Sequence, residues 1–209
     1  GSRFLFETNV CAGLPVLSTL NDLVRSGDQV HQIEAVLSGT LVFLFNEYNG
    51  TTKFVDVIKK AKELGFTEPD PRLDLFGSDV KRKILILIRE SGYTCEYDDI
   101  ELNSFLPQSC MESTTIEDFY AKVEAEEAHF KKLYEDAKAN GSRLKVVAKY
   151  KNGHGSVGLE AVDSTHPFYN LEGKDNIVLF YTNRYNDHPM VIKGAGAGAE
   201  VTASGIFAD

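Results

Sequence analysis

The sequence is poor in cysteine, has no long apolar run and shows no metal-ligand motif, and each absence removes a class of protein. Its three cysteines, Cys11, Cys95 and Cys110, are odd in number and irregularly spaced, which excludes a disulfide framework and a zinc-ligand array. Reduced thiols are the simplest reading. No segment approaches the roughly 20 apolar residues of a membrane span, and the N-terminus lacks the charged-then-apolar layout of a signal peptide. A cytoplasmic protein with no membrane partner is therefore expected. The five histidines, His31, His129, His154, His166 and His188, form neither HExxH nor HxH, so they are read as surface residues rather than ligands. Basic residues are outnumbered, with 22 Lys and Arg against 31 Asp and Glu for a net charge of -9. That balance argues against nucleic acid as a partner.

What is present is a globular composition. At 209 residues, 43% hydrophobic and 11% aromatic, the chain can bury one substantial core. Gly1-Ser2 reads as a cloning scar and 3–209 as one domain; the abrupt apolar start at Phe4-Leu5-Phe6 and the tail Gly205 to Asp209 suggest an excised fragment. Pro15 to Gly27 reads as a helix with a Val16, Leu20, Leu23, Val24 stripe. Val30 to Leu37 reads as a strand, and Ser38-Gly39-Thr40 as a turn into a buried helix from Leu41 to Phe45. Phe54, Val57, Ile58, Ala61 and Leu64 share one helical face that Gly65 terminates. Gly65 to Gly77 is expected as a loop and Asp79 to Glu90 as a helix. Thr114 and Glu117 have capping-box spacing ahead of one long amphipathic helix carrying Phe119, Val123, Phe130, Leu133 and Ala137. From Leu144 onward the period becomes two, with a hairpin turn at Asn152-Gly153 and further strands at Ile177 to Thr182 and Met190 to Lys193. The expected class is α+β, with helices on one face of a mixed or antiparallel sheet.

Two segments can carry chemistry. The first, Gly65-Phe66-Thr67-Glu68-Pro69-Asp70-Pro71-Arg72-Leu73-Asp74, is acidic and stiffened by two prolines; Asp79 and Lys83 follow at helical spacing, with Lys83 abutting an apolar run. Spacing alone favours a solvated acidic loop beside an ordinary ion pair. The second, Gly194 to Gly205, alternates Gly and Ala after a strand, and such a turn exposes backbone N–H groups to a phosphate or a flat cofactor. Close backbone packing explains it equally well, and it is neither a Rossmann fingerprint nor a P-loop. Cys11, between Val10 and Ala12, is a weaker candidate as a catalytic thiol.

Taken together, Ala12-Gly13-Leu14-Pro15, Ser38-Gly39-Thr40-Leu41, Gly65 to Arg72 with Gly77 to Lys83, and the Gly194 to Asp209 tail resemble homoserine dehydrogenases from Glu7 to Asp209. His166-Pro167-Phe168 and the tail look most like the bifunctional form preceded by an aspartokinase. The resemblance implies a fold similar to the C-terminal domain of glyceraldehyde-3-phosphate dehydrogenase-like enzymes. It implies NAD- or NADP-dependent interconversion of L-homoserine and L-aspartate 4-semialdehyde, toward threonine and methionine, by a homodimer or higher oligomer. By position it implies Glu68 and Asp74 as substrate-binding carboxylates, Lys83 and Asp79 as the catalytic pair, and Gly39 and Thr40 as contacts to substrate and cofactor. Gly198 matches a cofactor contact, and Glu7 with the carbonyls of Val10, Ala12 and Leu14 matches a site for Na⁺ or K⁺. Phe66 stands where some relatives carry tyrosine. The family's Gly-rich dinucleotide fingerprint and a second active-site lysine lie upstream in a nucleotide-binding domain that is mostly absent, so these 209 residues alone are expected to be inactive. Two alternatives differ in kind: a semialdehyde dehydrogenase using the Cys11 thiol, and a non-catalytic assembly or ligand-sensing module.

Overall fold

The computed structural model describes residues 6–208, so the expectations for Gly1-Ser2, for the start of the Phe4-Leu5-Phe6 run and for Asp209 lie outside the described residues. In the first half, α1 (Val16–Arg25) buries Val16, Leu17, Leu20 and Leu23 on one face, and β1 (Val30–Val36) follows. Next comes α2 (Gly39–Glu47), capped by the Ser38 hydroxyl, which accepts from the Leu41 N–H. In α3 (Phe54–Glu63) Phe54, Val57, Ile58 and Ala61 of the expected face are buried, whereas Leu64 is the exposed C-cap, and Gly65, at φ 74°, follows it. A short α4 (Arg72–Leu75) and α5 (Ser78–Glu90) complete this half, with Val80, Ile84, Leu87 and Ile88 buried along α5.

The second half supplies β2 (Ile100–Asn103), a short α6 (Gln108–Met111), α7 (Ile116–Ala125) and α8 (Glu127–Ala139). Four strands then run to the tail: β3 (Arg143–Lys151), β4 (His154–Val162), β5 (Asp175–Thr182) and β6 (Met190–Ala195), before α9 (Ala199–Ala208). Asn152 and Gly153 both take positive φ, 53° and 75°, as a tight β3–β4 hairpin requires.

The six strands make one sheet in the order β2-β4-β3-β1-β5-β6. Only β2 with β4 is parallel; the other pairs are antiparallel, so the sheet is mixed. The period-two pattern decides its faces. Ile33, Ala35, Val146, Ala148, Tyr150, Val178 and Phe180 point into the main core under the helices. Val36, Val147, Ile177 and Leu179 point to the other face, where Phe168 and Leu171 of the connection into β5 and Val42 of α2 cover them. The α+β expectation holds, with the main helical layer on one side.

Four local expectations need correction. The acidic loop contains a helical turn, α4, because Pro71 presets φ at its N-cap and Asp70 accepts from the Arg72 N–H. The single long helix is two, breaking at Glu126. The acids at the break bond to other elements: Glu126 accepts from Ser109, and Glu127 from the Tyr48 hydroxyl and the Phe54 N–H. Its N-cap is Thr115, accepting from Asp118, one residue later than the Thr114 and Glu117 spacing suggests. Lastly, Gly194 and Ala195 belong to β6 and the helix already starts at Ala199, which reduces the bare turn to Gly196–Gly198.

Candidate functional site

A cavity of about 280 Å³ opens where the N-terminus of α2, the 65–74 loop, α5, the start of β5 and the Gly196 turn meet; Thr40, Glu68, Asp74, Asp79 and Lys83 all line it. Lys83 and Asp79, one turn apart on α5, form an ion pair of 2.9 Å. The lysine side chain is 20% exposed against 56% for the aspartate. Lys83 also donates to the carbonyl of Leu37, at 3.1 Å, which ties its ammonium to the end of β1. A lysine so held keeps its charge close to the cavity while its stem stays in the core.

The acidic side is organised around Asp74. One carboxylate oxygen accepts from the Glu68 backbone N–H at 2.9 Å and the other lies 3.3 Å from the Thr40 hydroxyl, which itself donates to the Phe66 carbonyl. Burial pushes the Asp74 carboxyl above its ordinary range, against the opposing pull of these hydrogen bonds. Arg72 grips Asp70 through Nε and Nη2, donating Nη1 to the Ser113 carbonyl, so Asp70 is a strut for the loop and not a wall of the cavity. The Arg72 hydrogen bonds hold its carboxyl below the usual value.

Gly39 lines the same cavity as the first residue of α2. Gly198, at φ 128°, is just beyond the lining residues Gly196 and Ala197, and its carbonyl accepts from Thr202 in the first turn of α9. The Glu7 carboxylate accepts from the Leu17 and Ser18 N–H groups at 2.9 and 2.7 Å and so caps α1. Between it and α1 the chain curls through Cys11 and Ala12 at φ 59° and 51°, a conformation that non-glycine residues adopt at a cost. The Leu14 carbonyl accepts from Val16. Among the described residues, no group of three or more His, Cys, Asp and Glu is placed to hold a metal ion, and no helix is long and apolar enough to cross a membrane.

Cys11 is a correction to the thiol alternative. It is 1% exposed, is not among the residues lining the cavity, and burial pushes its thiol up to about 11, so it is protonated at neutral pH and closed to substrate.

Comparison with known proteins gives the family. A homoserine dehydrogenase family model matches residues 15–209. The chain belongs to the homoserine dehydrogenase family. It is 42% identical to a bifunctional aspartokinase/homoserine dehydrogenase of Zea mays, covering all of this chain and 23% of that protein, and 41% identical to the homoserine dehydrogenase of Schizosaccharomyces pombe, of which it spans 58%. Among solved structures, a Candida auris protein of unknown function superposes with a TM-score of 0.90 at 42% identity, over 97% of this chain and 58% of that one. A hyperthermophilic archaeal homoserine dehydrogenase in complex with NADPH gives 0.71 at 27% identity, over 98% and 53%. The chain thus spans about a quarter to somewhat over half of these relatives.

In this homoserine dehydrogenase domain the cavity also contains residues that sequence reasoning passed over: Lys174, Asn176 and the ring of Phe66. Lys174 and Asn176 are two apart at the onset of β5, and continuing the Val178, Phe180 alternation backward would have pointed to them. That strand was expected to begin only at Ile177.

Proposed function

We propose that this domain carries the substrate half of a homoserine dehydrogenase active site, interconverting L-homoserine and L-aspartate 4-semialdehyde with NAD or NADP. The observation that carries the reading is the Lys83–Asp79 pair lining one cavity with Glu68, Asp74 and Thr40. Homoserine presents an ammonium and a hydroxyl, both donors, and the carboxylates of Glu68 and Asp74 are acceptors for them. Lys83 holds the reacting oxygen: in the reducing direction its ammonium gives a proton to that oxygen as the carbonyl carbon becomes a primary alcohol, and in reverse its neutral amine takes the hydroxyl proton back. Asp79 orients the ammonium. Thr40, fixed to Phe66 and Asp74, positions the acidic loop. A bound nicotinamide would supply the hydride in reduction and take it up in oxidation. The turn Gly196-Ala197-Gly198, with no side chain larger than a methyl, suits its close approach, with Gly198 and Thr40 as contacts.

Three further parts belong to this reading. Glu7 with the carbonyls of Val10, Ala12 and Leu14 is an all-oxygen donor set suited to a hard monovalent cation such as Na⁺ or K⁺, and the curled Cys11-Ala12 backbone supports it by turning the loop on itself. Self-association into a dimer is supported by β6, the last strand of the sheet, where Val191 is 48% exposed. A cytoplasmic location agrees with the three buried free thiols.

The test is homoserine-dependent cofactor reduction by a full-length protein carrying these residues. Lys83→Ala is expected to lower kcat by on the order of a hundredfold or more, as loss of a general acid does. Unchanged turnover in that variant would leave only the non-catalytic module.

A further inference from the structure

A 2-amino acid must be recognised at three groups, and the site described so far answers two of them. Glu68 and Asp74 suit the donors, and Lys83 suits the reacting oxygen. No group has yet been given to the α-carboxylate, whose charge would otherwise sit unpaired beside three acids. We propose that Lys174 binds the α-carboxylate of the substrate and so fixes which end of the molecule faces Lys83. This rests on the dehydrogenase reading above.

Three observations carry it. Lys174 and Lys83 are the two lysines lining the cavity, and Lys83 is already held by Asp79 and the Leu37 carbonyl. Lys174 has no carboxylate within ion-pair distance among the described residues; its ammonium rests over the Phe66 ring, 4.4 Å from the centroid. A ring face at an exposed site holds an ammonium weakly and leaves its hydrogen-bond donors available to an anion. A ring at position 66 therefore parks the lysine without neutralising it.

The second observation is the wall Lys174 belongs to. A side chain at Gly39 would place its Cβ 3.2 Å from the Cα and the carbonyl oxygen of Lys174, so the lysine backbone lies directly against the first turn of α2. The positive end of that helix adds to the lysine charge on the same side of the cavity. Glu68 and Asp74 stand on a different segment, which separates sites for the two charged substituents of one α-carbon.

Third, Asn176, on the same side of the strand as Lys174, is 2% exposed and has an Oδ1 without a hydrogen-bond partner. It is wedged beneath Gly196, where a Cβ would fall 1.9 Å from its Nδ2. Its Oδ1 is closed off from the cavity, so the side chain forms a neutral wall beside Lys174 and brings no charge that competes for an anion there.

The test uses the full-length enzyme with two substrates, L-homoserine and L-homoserinamide, in which a neutral amide replaces the carboxylate. Lys174→Met is expected to raise the KM for homoserine about ten- to a hundredfold, the scale of one lost charge-assisted hydrogen bond, with kcat changed less than about threefold. Its KM for the amide should match that of the parent, and Lys174→Arg should recover most of the homoserine affinity. An unchanged homoserine KM in Lys174→Met, an equal loss on both substrates, or a rise confined to the cofactor KM overturns the assignment. Failure of the parent enzyme to oxidise homoserine overturns the underlying function instead, and is read before any variant is made.

Discussion

At the scale of single residues, charge that is buried without an opposite charge is the most informative feature. Lys145 on β3 is 1% exposed, yet its ammonium meets only neutral acceptors, Asn46 Oδ1 at 2.6 Å and the Leu171 carbonyl at 3.2 Å. Burial pulls it down to about 8 from a usual value near 10.5. Below about pH 8 both folded and unfolded chains hold the proton and the fold bears the whole cost of burying it. Between there and the ordinary lysine range the unfolded chain holds more protons, so stability rises with pH, by up to about 3 kcal/mol. Urea melts of the parent at pH 7.5 and pH 10 should show that gain, and Lys145→Met should lack it; identical pH slopes would contradict the burial argument. The period-two pattern from Leu144 onward places Lys145 in the polar phase of its strand, and nothing local reveals that Asn46 and Leu171 close over it. By contrast, the Asp79–Lys83 pair was legible from helical spacing, although the substrate proposed for it came from family resemblance.

At the scale of elements, what could be read was what each segment does for itself. The stripes of α1, α3 and α5, the stop at Gly65 and the Asn152-Gly153 hairpin follow from local periodicity and turn chemistry. What could not be read depends on distant partners. β2 is four residues long and exists as a strand by lying parallel to β4, more than fifty residues later. The N-termini of α1 and α3 have no cap of their own; carboxylates of Glu7 and Glu127 arrive from other elements to accept their N–H groups. Glu127 also accepts from Tyr48, whose ring packs edge-on against Phe54, while Phe54 stacks on Phe130 at 4.3 Å. Glu127→Ala therefore uncaps α3 and orphans the Tyr48 hydroxyl at once. We expect a loss of about 1–3 kcal/mol in chemical denaturation, with the slope of the transition preserved. A loss under a few tenths of a kcal/mol would mean that water replaces the carboxylate.

At the scale of the whole molecule, the order of the strands matters more than their number. Five of the six strands come from residue 100 onward, but β1, from the first part of the chain, lies inside the sheet between β3 and β5. β1 bonds to β3 on one side and β5 on the other, with Ala35 opposite both Ala148 and Val178. Its two edges are therefore satisfied only by residues made more than a hundred positions later. A chain ending before β5, at residue 174, should leave open one edge of the central strand, four of whose seven residues are buried, and is expected to elute as aggregate in size-exclusion chromatography where the parent does not. During synthesis the same topology imposes a wait. At about 5–20 residues per second, roughly 7 to 30 s pass between the emergence of β1 and that of its last partner. Throughout that interval at least one edge of a half-apolar strand stands unzipped beside the ribosome, so for this fold the rate of translation and the supply of chaperones bear on the yield alongside the stability of the finished sheet.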